Sequence, residues 1–146
     1  MPVEIRTTVS QPRWREQYDR MQRWRRRMAT SSTDADLVDN THAFFITCFH
    51  LRDWLRSDTS VPQSVRVDAP MLVKTDASLQ ICADLANGLK HLVLTQPLKV
   101  GAPVSLSSGN PPTVHDAGGA SLGDAAVIAD QCIAAWNALL KSRGLL

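Results

Sequence analysis

An all-α fold is what the sequence predicts: a four-helix, up-down bundle in a single domain over residues 1–146, with a long Pro/Gly-rich connection before the last helix. Three observations lead there. Four segments repeat apolar residues at three- and four-residue steps, the period of a helix with one buried face. Ser, Thr or Asp stands at or near the start of each, where short polar side chains cap free amides. Residues 95–120 hold four prolines and several glycines, so no helix runs through them.

The first helix is expected over 11–30. Trp14, Tyr18, Met21, Trp24 and Met28 form its apolar stripe, Ser10 can cap it, and Pro12 is tolerated in its first turn. The second is expected over 34–57, with Thr33 as N-cap and Asp34 and Asp36 suited to the positive end of the helix dipole. Its core face collects Leu37, Val38, Thr41, Phe45, Cys48, Phe49 and Leu55, with Arg52 near the centre. An arginine there needs a carboxylate, a carbonyl or an anionic ligand, because an unpaired buried charge is costly; Asp84 is a candidate partner. The segment "TSVPQSVRVDAPMLVK", with two prolines, is expected to connect helices two and three. The third helix is expected over 76–94, capped by Thr75. "LKV" and "VSL", around "GAP", suggest a short hairpin in the connection that follows. The fourth helix is expected over 121–143, with Ser121 and Asp124 at capping-box-like spacing and a stripe of Val127, Ile128, Ile133, Trp136, Leu139 and Leu140.

Composition excludes several classes. An apolar fraction of 44% and a charged fraction of 21% describe a globular chain rather than a disordered one. No apolar run approaches the ~20 residues of a membrane span, and no apolar segment follows the N-terminus, so a cytoplasmic protein without membrane attachment is expected. Charge is uneven. Residues 1–30 hold eight arginines against Glu4, Glu16 and Asp19, a balance of +5, while the remainder carries −3. The basic end, including Arg25, Arg26 and Arg27, suits phosphate or an acidic partner. Metals and cofactors are not expected. The chain has only two glutamates, no paired zinc-ligand spacing and no phosphate-cradling glycine loop. Cys48, Cys82 and Cys132 each fall inside an expected helix, which suggests buried, reduced thiols.

The third helix carries the functional expectation. At roughly 100° per residue, Ser78, Ile81, Cys82, Leu85, Leu89 and Leu92 make a core stripe. Asp84, Asn87 and His91 fall beside it as a polar strip. Gly88 lies between strip and stripe, where a glycine suits the close approach of another backbone or a ligand. Histidine can serve as general acid or base near neutral pH, and arginine can stabilise developing negative charge. His91, Asn87 and Arg52 are therefore the candidate catalytic residues, with Asp84, Gly88, Lys90, Arg25, Arg26 and Arg27 as candidate binding residues. Metal-free acid–base chemistry fits this set.

The run Ala86-Asn87-Gly88-Leu89-Lys90-His91 resembles the signature of the HEPN superfamily: an Arg, a polar residue that is often Asn, three variable residues, then His. Asn87 and His91 match, while Ala86 stands at the arginine position, for which Arg52 could substitute. "FHLRDWL" with "CADLANGLKHL" is also similar to a group of small bacterial helical proteins. The HEPN resemblance implies a small helical bundle, frequently a homodimer. It also implies a role in bacterial defence or toxin–antitoxin systems, either as a metal-independent ribonuclease or as a binding module that has lost activity. RNA or a nucleotide is the ligand so implied. The alternative expectation is a non-catalytic interaction or dimerisation module that binds a partner protein.

Overall fold

The computed structural model describes residues 12–90 and 104–146. Five helices and a small sheet follow one another: α1 (Arg13–Ala29), α2 (Asp34–Ser57), α3 (Gln63–Thr75), α4 (Ala77–Lys90), β1 (Ser105–Ser107), β2 (Thr113–His115), β3 (Ser121–Asp124) and α5 (Ala125–Ser142). The described residues are mostly helical, as expected, but they include one helix more than the expected bundle and a three-stranded sheet besides.

Helix α2 is the hub and packs against α1, α3, α4 and α5. Its bounds coincide with the expected 34–57, and Thr33 accepts a hydrogen bond from the Asp36 amide at 3.0 Å. In α1, Trp14, Tyr18, Met21 and Met28 are buried, whereas Trp24 is half-buried against the core. Gln17 is buried too, and its amide donates to the Thr47 carbonyl at 2.9 Å. Pro12 stands at the start of α1 and offers no side-chain cap. The cap comes from the far end of α2 instead: Asp58 accepts from the Trp14 amide at 3.0 Å and from the Ser60 amide and hydroxyl at 2.9 and 2.6 Å.

Helix α3 replaces the expected connection. Pro62 precedes its first residue, where a missing N–H is harmless, but Pro70 lies inside it. Val65, Ala69 and Val73 recur every four residues and are all buried. Burial of that stripe outweighs the hydrogen bond lost at Pro70. Helix α4 begins after Asp76, not Thr75; the Asp76 carboxylate accepts from the Leu79 amide at 3.0 Å, and Thr75 closes α3.

The sheet is antiparallel in the order β1-β2-β3. Strand β1 overlaps the expected "VSL", but its partner is β2, with Leu106 opposite Val114; "LKV" lies outside the described residues. Val114 is fully buried. Strand β3 occupies the first four residues of the expected last helix, so α5 starts at Ala125 with the Asp124 carboxylate capping the Ala126 amide at 2.8 Å. The core stripe of α5 is Ile128, Ala129, Cys132, Trp136 and Leu140, and Val127 is 53% exposed, contrary to expectation. The helix ends in a Schellman turn at Gly144 (φ +70°): the Leu145 amide donates to the Leu140 carbonyl and the Gly144 amide to Lys141. Among the described residues, no helix is long and apolar enough to cross a membrane.

Candidate functional site

The strip expected on α4 departs from an edge at Asp84. All five residues from Cys82 to Ala86 are buried, because α4 is enclosed by its neighbours over that turn. Asp84 is only 2% exposed and belongs to the interior rather than to a shoulder. Ala86, at the arginine position of the HEPN-like signature, is 3% exposed, so a guanidinium there would have to be buried. Asn87 is half-buried and Gly88 exposed. Nothing described lies within 4 Å of a Cβ built at Gly88, so the described residues leave open space beside it. Lys90 is the last described residue of α4, and His91 lies outside the described residues.

Arg52 does not occupy the centre of the core. Its guanidinium bonds the adjacent Asp53 carboxylate at 3.1 and 3.4 Å and lies 4.3 Å from the Phe49 ring centroid. His50 Nδ1 approaches the same carboxylate at 3.4 Å. Burial pushes the Asp53 pKa up, but Arg52 and His50 more than offset it and hold it below the ordinary value. Thus Arg52 answers Asp53, not Asp84. His115, unplaced by the sequence, is half-buried on β2 with Nε2 3.2 Å from the Ser107 hydroxyl.

The basic end becomes a defined surface. Seven arginines of α1 face only Glu16 and Asp19 within the helix. Two are held in ion pairs, Arg15 with Asp19 at 3.2 Å and Arg25 with Asp130 at 2.7 and 3.1 Å, and Arg20 donates to the Gln17 side-chain carbonyl at 2.5 Å. Arg25, expected to bind a ligand, is thus held by α5. Among the described residues, Arg13, Arg20, Arg23, Arg26 and Arg27 make no ion pair. Arg13, Arg20 and Arg27 recur at seven-residue steps, nearly two turns, and so share one line along the helix. Aromatic rings alternate with them. The Arg13 and Arg20 guanidiniums stand 5.9 and 5.7 Å from the Trp54 ring of α2, and Arg27 stands 4.5 Å from Trp24. Both indoles are half-buried, which leaves part of each ring open to solvent. At one end of this line a cleft of about 250 Å³ is lined by Arg13, Asp53, Trp54, Ser57 and Asp58. The seven-residue recurrence was readable in the sequence; the contribution of Trp54 from another helix was not.

A second constellation was also invisible in the spacing. Cys48 of α2, Cys82 of α4 and Cys132 of α5 are each 0% exposed, and their three Sγ atoms lie within 4.8 Å of one another. Cys82 donates to the Phe45 carbonyl and Cys132 to the Ser78 carbonyl, each at 3.3 Å. Burial raises the Cys48 pKa, but the neighbouring thiols of Cys132 and Cys82 pull it down further, to about 5. A thiol has one proton, so Cys82 and Cys132 each choose between a carbonyl and Cys48.

No protein-family model, no curated protein and no solved structure matches this chain.

Proposed function

We propose that the chain binds single-stranded RNA along the α1/α2 edge. The observation that carries this reading is the alternation of Arg13, Trp54, Arg20, Trp24 and Arg27 on one surface, without acidic partners for the three arginines. Guanidiniums about 10 Å apart, at two-turn steps, meet phosphates at intervals along an extended strand, and the indole faces accept unstacked bases at about 1–3 kcal/mol each. Sequence readout is not built in, because every base has a face to stack. Cleavage, implied by the resemblance of residues 86–91 to the HEPN signature, belongs to the same proposal as a separate step at His91.

Fluorescence anisotropy with a labelled, unstructured RNA oligonucleotide tests binding. The expected result is affinity that falls steeply with salt, with the slope reduced by about 0.7 for each phosphate contact removed in R13A, R20A and R27A. Trp54→Ala should weaken binding by roughly 5- to 100-fold, the equivalent of one lost stack. Absence of binding at low salt, or binding indifferent to these four changes, overturns the reading. Incubation of mixed RNA in EDTA tests the cleavage step; equal survival of RNA with wild type and His91→Ala removes it while leaving the binding result intact.

A further inference from the structure

Three buried cysteines supplied by three different helices form the one cluster of metal-type ligands found among the described residues. Packing alone explains a single buried thiol, since free cysteine behaves as a small hydrophobe. It does not by itself explain three whose sulfurs meet at one point. Thiolate bonds of about 2.3 Å place three sulfurs about 4.0 Å apart when coplanar with a bound ion, and closer when pyramidal. The Sγ atoms, all within 4.8 Å of one another, need only a small closing movement.

An independent observation points the same way. The Trp136 indole N–H is fully buried and has no hydrogen-bond partner. Trp136 follows Cys132 by four residues on α5, one turn on, so the indole shares the buried face that carries this sulfur. A buried N–H without an acceptor is costly, and a bound thiolate would give it one.

Ligand number and charge select the ion. No fourth His, Cys, Asp or Glu joins the group among the described residues, whereas structural zinc takes four ligands. Three thiolates leave a net −2 around a monovalent ion and −1 around a divalent one, and burying net charge in an apolar interior is expensive. A trivalent, three-coordinate centre leaves no net charge and needs no fourth donor.

We infer that Cys48, Cys82 and Cys132 form a three-sulfur binding site for trivalent arsenic, taken up as arsenite. The exchange balances without redox change: As(OH)3 and three thiols give As(SR)3 and three waters. Three S–H and three As–O bonds break, and three As–S and three O–H bonds form. Because all three sulfurs are enclosed, uptake is slow and follows local opening of the helices.

The test uses the full chain, reduced and freed of metal, incubated separately with arsenite, zinc(II) or chelator-delivered copper(I). Native mass spectrometry gives stoichiometry, and thiol titration in denaturant gives the number of sulfurs protected. One arsenic per chain, loss of all three titratable thiols and a raised melting temperature are expected. C48A, C82A and C132A should each lose at least 100-fold in affinity, with circular dichroism confirming the fold. Trp136→Phe keeps every ligand and should bind about 10-fold more weakly. The inference is overturned if folded wild type takes up no arsenic or engages only two thiols. Uptake that survives removal of all three cysteines, or preference for zinc or copper over arsenic at equal concentration, overturns it equally.

Discussion

Helices α1 and α4 both carry charged residues beside apolar ones, yet the arginines of α1 reach solvent while Asp84 of α4 is buried. In α1 the apolar side chains are large (Trp14, Tyr18, Met21, Met28) and fix one buried face, so the arginines opposite stay outside. In α4 the buried positions include Ala83 and Ala86, which make the helix narrow and let its neighbours close round it. Bulky stripes define a face; small residues allow a helix to be enclosed. The same 100° arithmetic therefore locates the surface of α1 and misplaces that of α4.

The contrast is broken most forcefully at Ala86. Restoring the signature arginine, Ala86→Arg, should destabilise the fold by about 3–5 kcal/mol, since it buries a charge without a partner. Chemical denaturation reads this directly, and a neutral result would return α4 to the surface. Next comes Asp58→Ala, which strips the cap from α1 and should lose about 1–3 kcal/mol in the same assay. Burial raises the Asp58 pKa, but hydrogen bonds from Ser60 and from backbone amides of α1 outweigh it and leave the pKa below its ordinary value. A depressed carboxylate stabilises the fold above its unfolded pKa of about 3.9. That contribution is lost as pH falls through the lower folded value. The stability gap between wild type and D58A should accordingly shrink below about pH 4.

Smaller effects sharpen the comparison. Gly88→Ala should stabilise the protein by up to about 1 kcal/mol, because the added methyl meets open space and helix propensity improves; a loss would indicate a neighbour there. At the opposite extreme, Arg27→Ala should destabilise by no more than about 1 kcal/mol in thermal melts, since the exposed guanidinium makes no ion pair and loses only its contact with the Trp24 ring.

Much of the framework was legible. Helix α2 was bounded correctly because Thr33 supplies a local cap and Asp58 ends it in extended backbone. Helix α3 was hidden by its two prolines, although Val65, Ala69 and Val73 already showed a four-residue period. Strand β3 was hidden because Ser121 and Asp124 mimic a capping pair, and only Asp124 caps. The thiol cluster was unreadable for a different reason. Its members stand 34 and 50 residues apart, and only the packing of α2, α4 and α5 brings them together. Trp54 likewise joins the arginine line only through the α1/α2 pairing.

The cap that Asp58 places on α1 has a consequence for how the molecule opens. It joins the first turn of α1 to the end of α2, at the mouth of the hairpin farthest from the connecting loop. Helix ends are ordinarily where backbone amides exchange with solvent first. Here the Trp14 amide is bonded across 44 residues of chain, so it cannot be released by fraying of α1 alone. Its deuterium uptake should follow the separation of the two helices, which makes one amide a reporter for the opening of the whole hairpin.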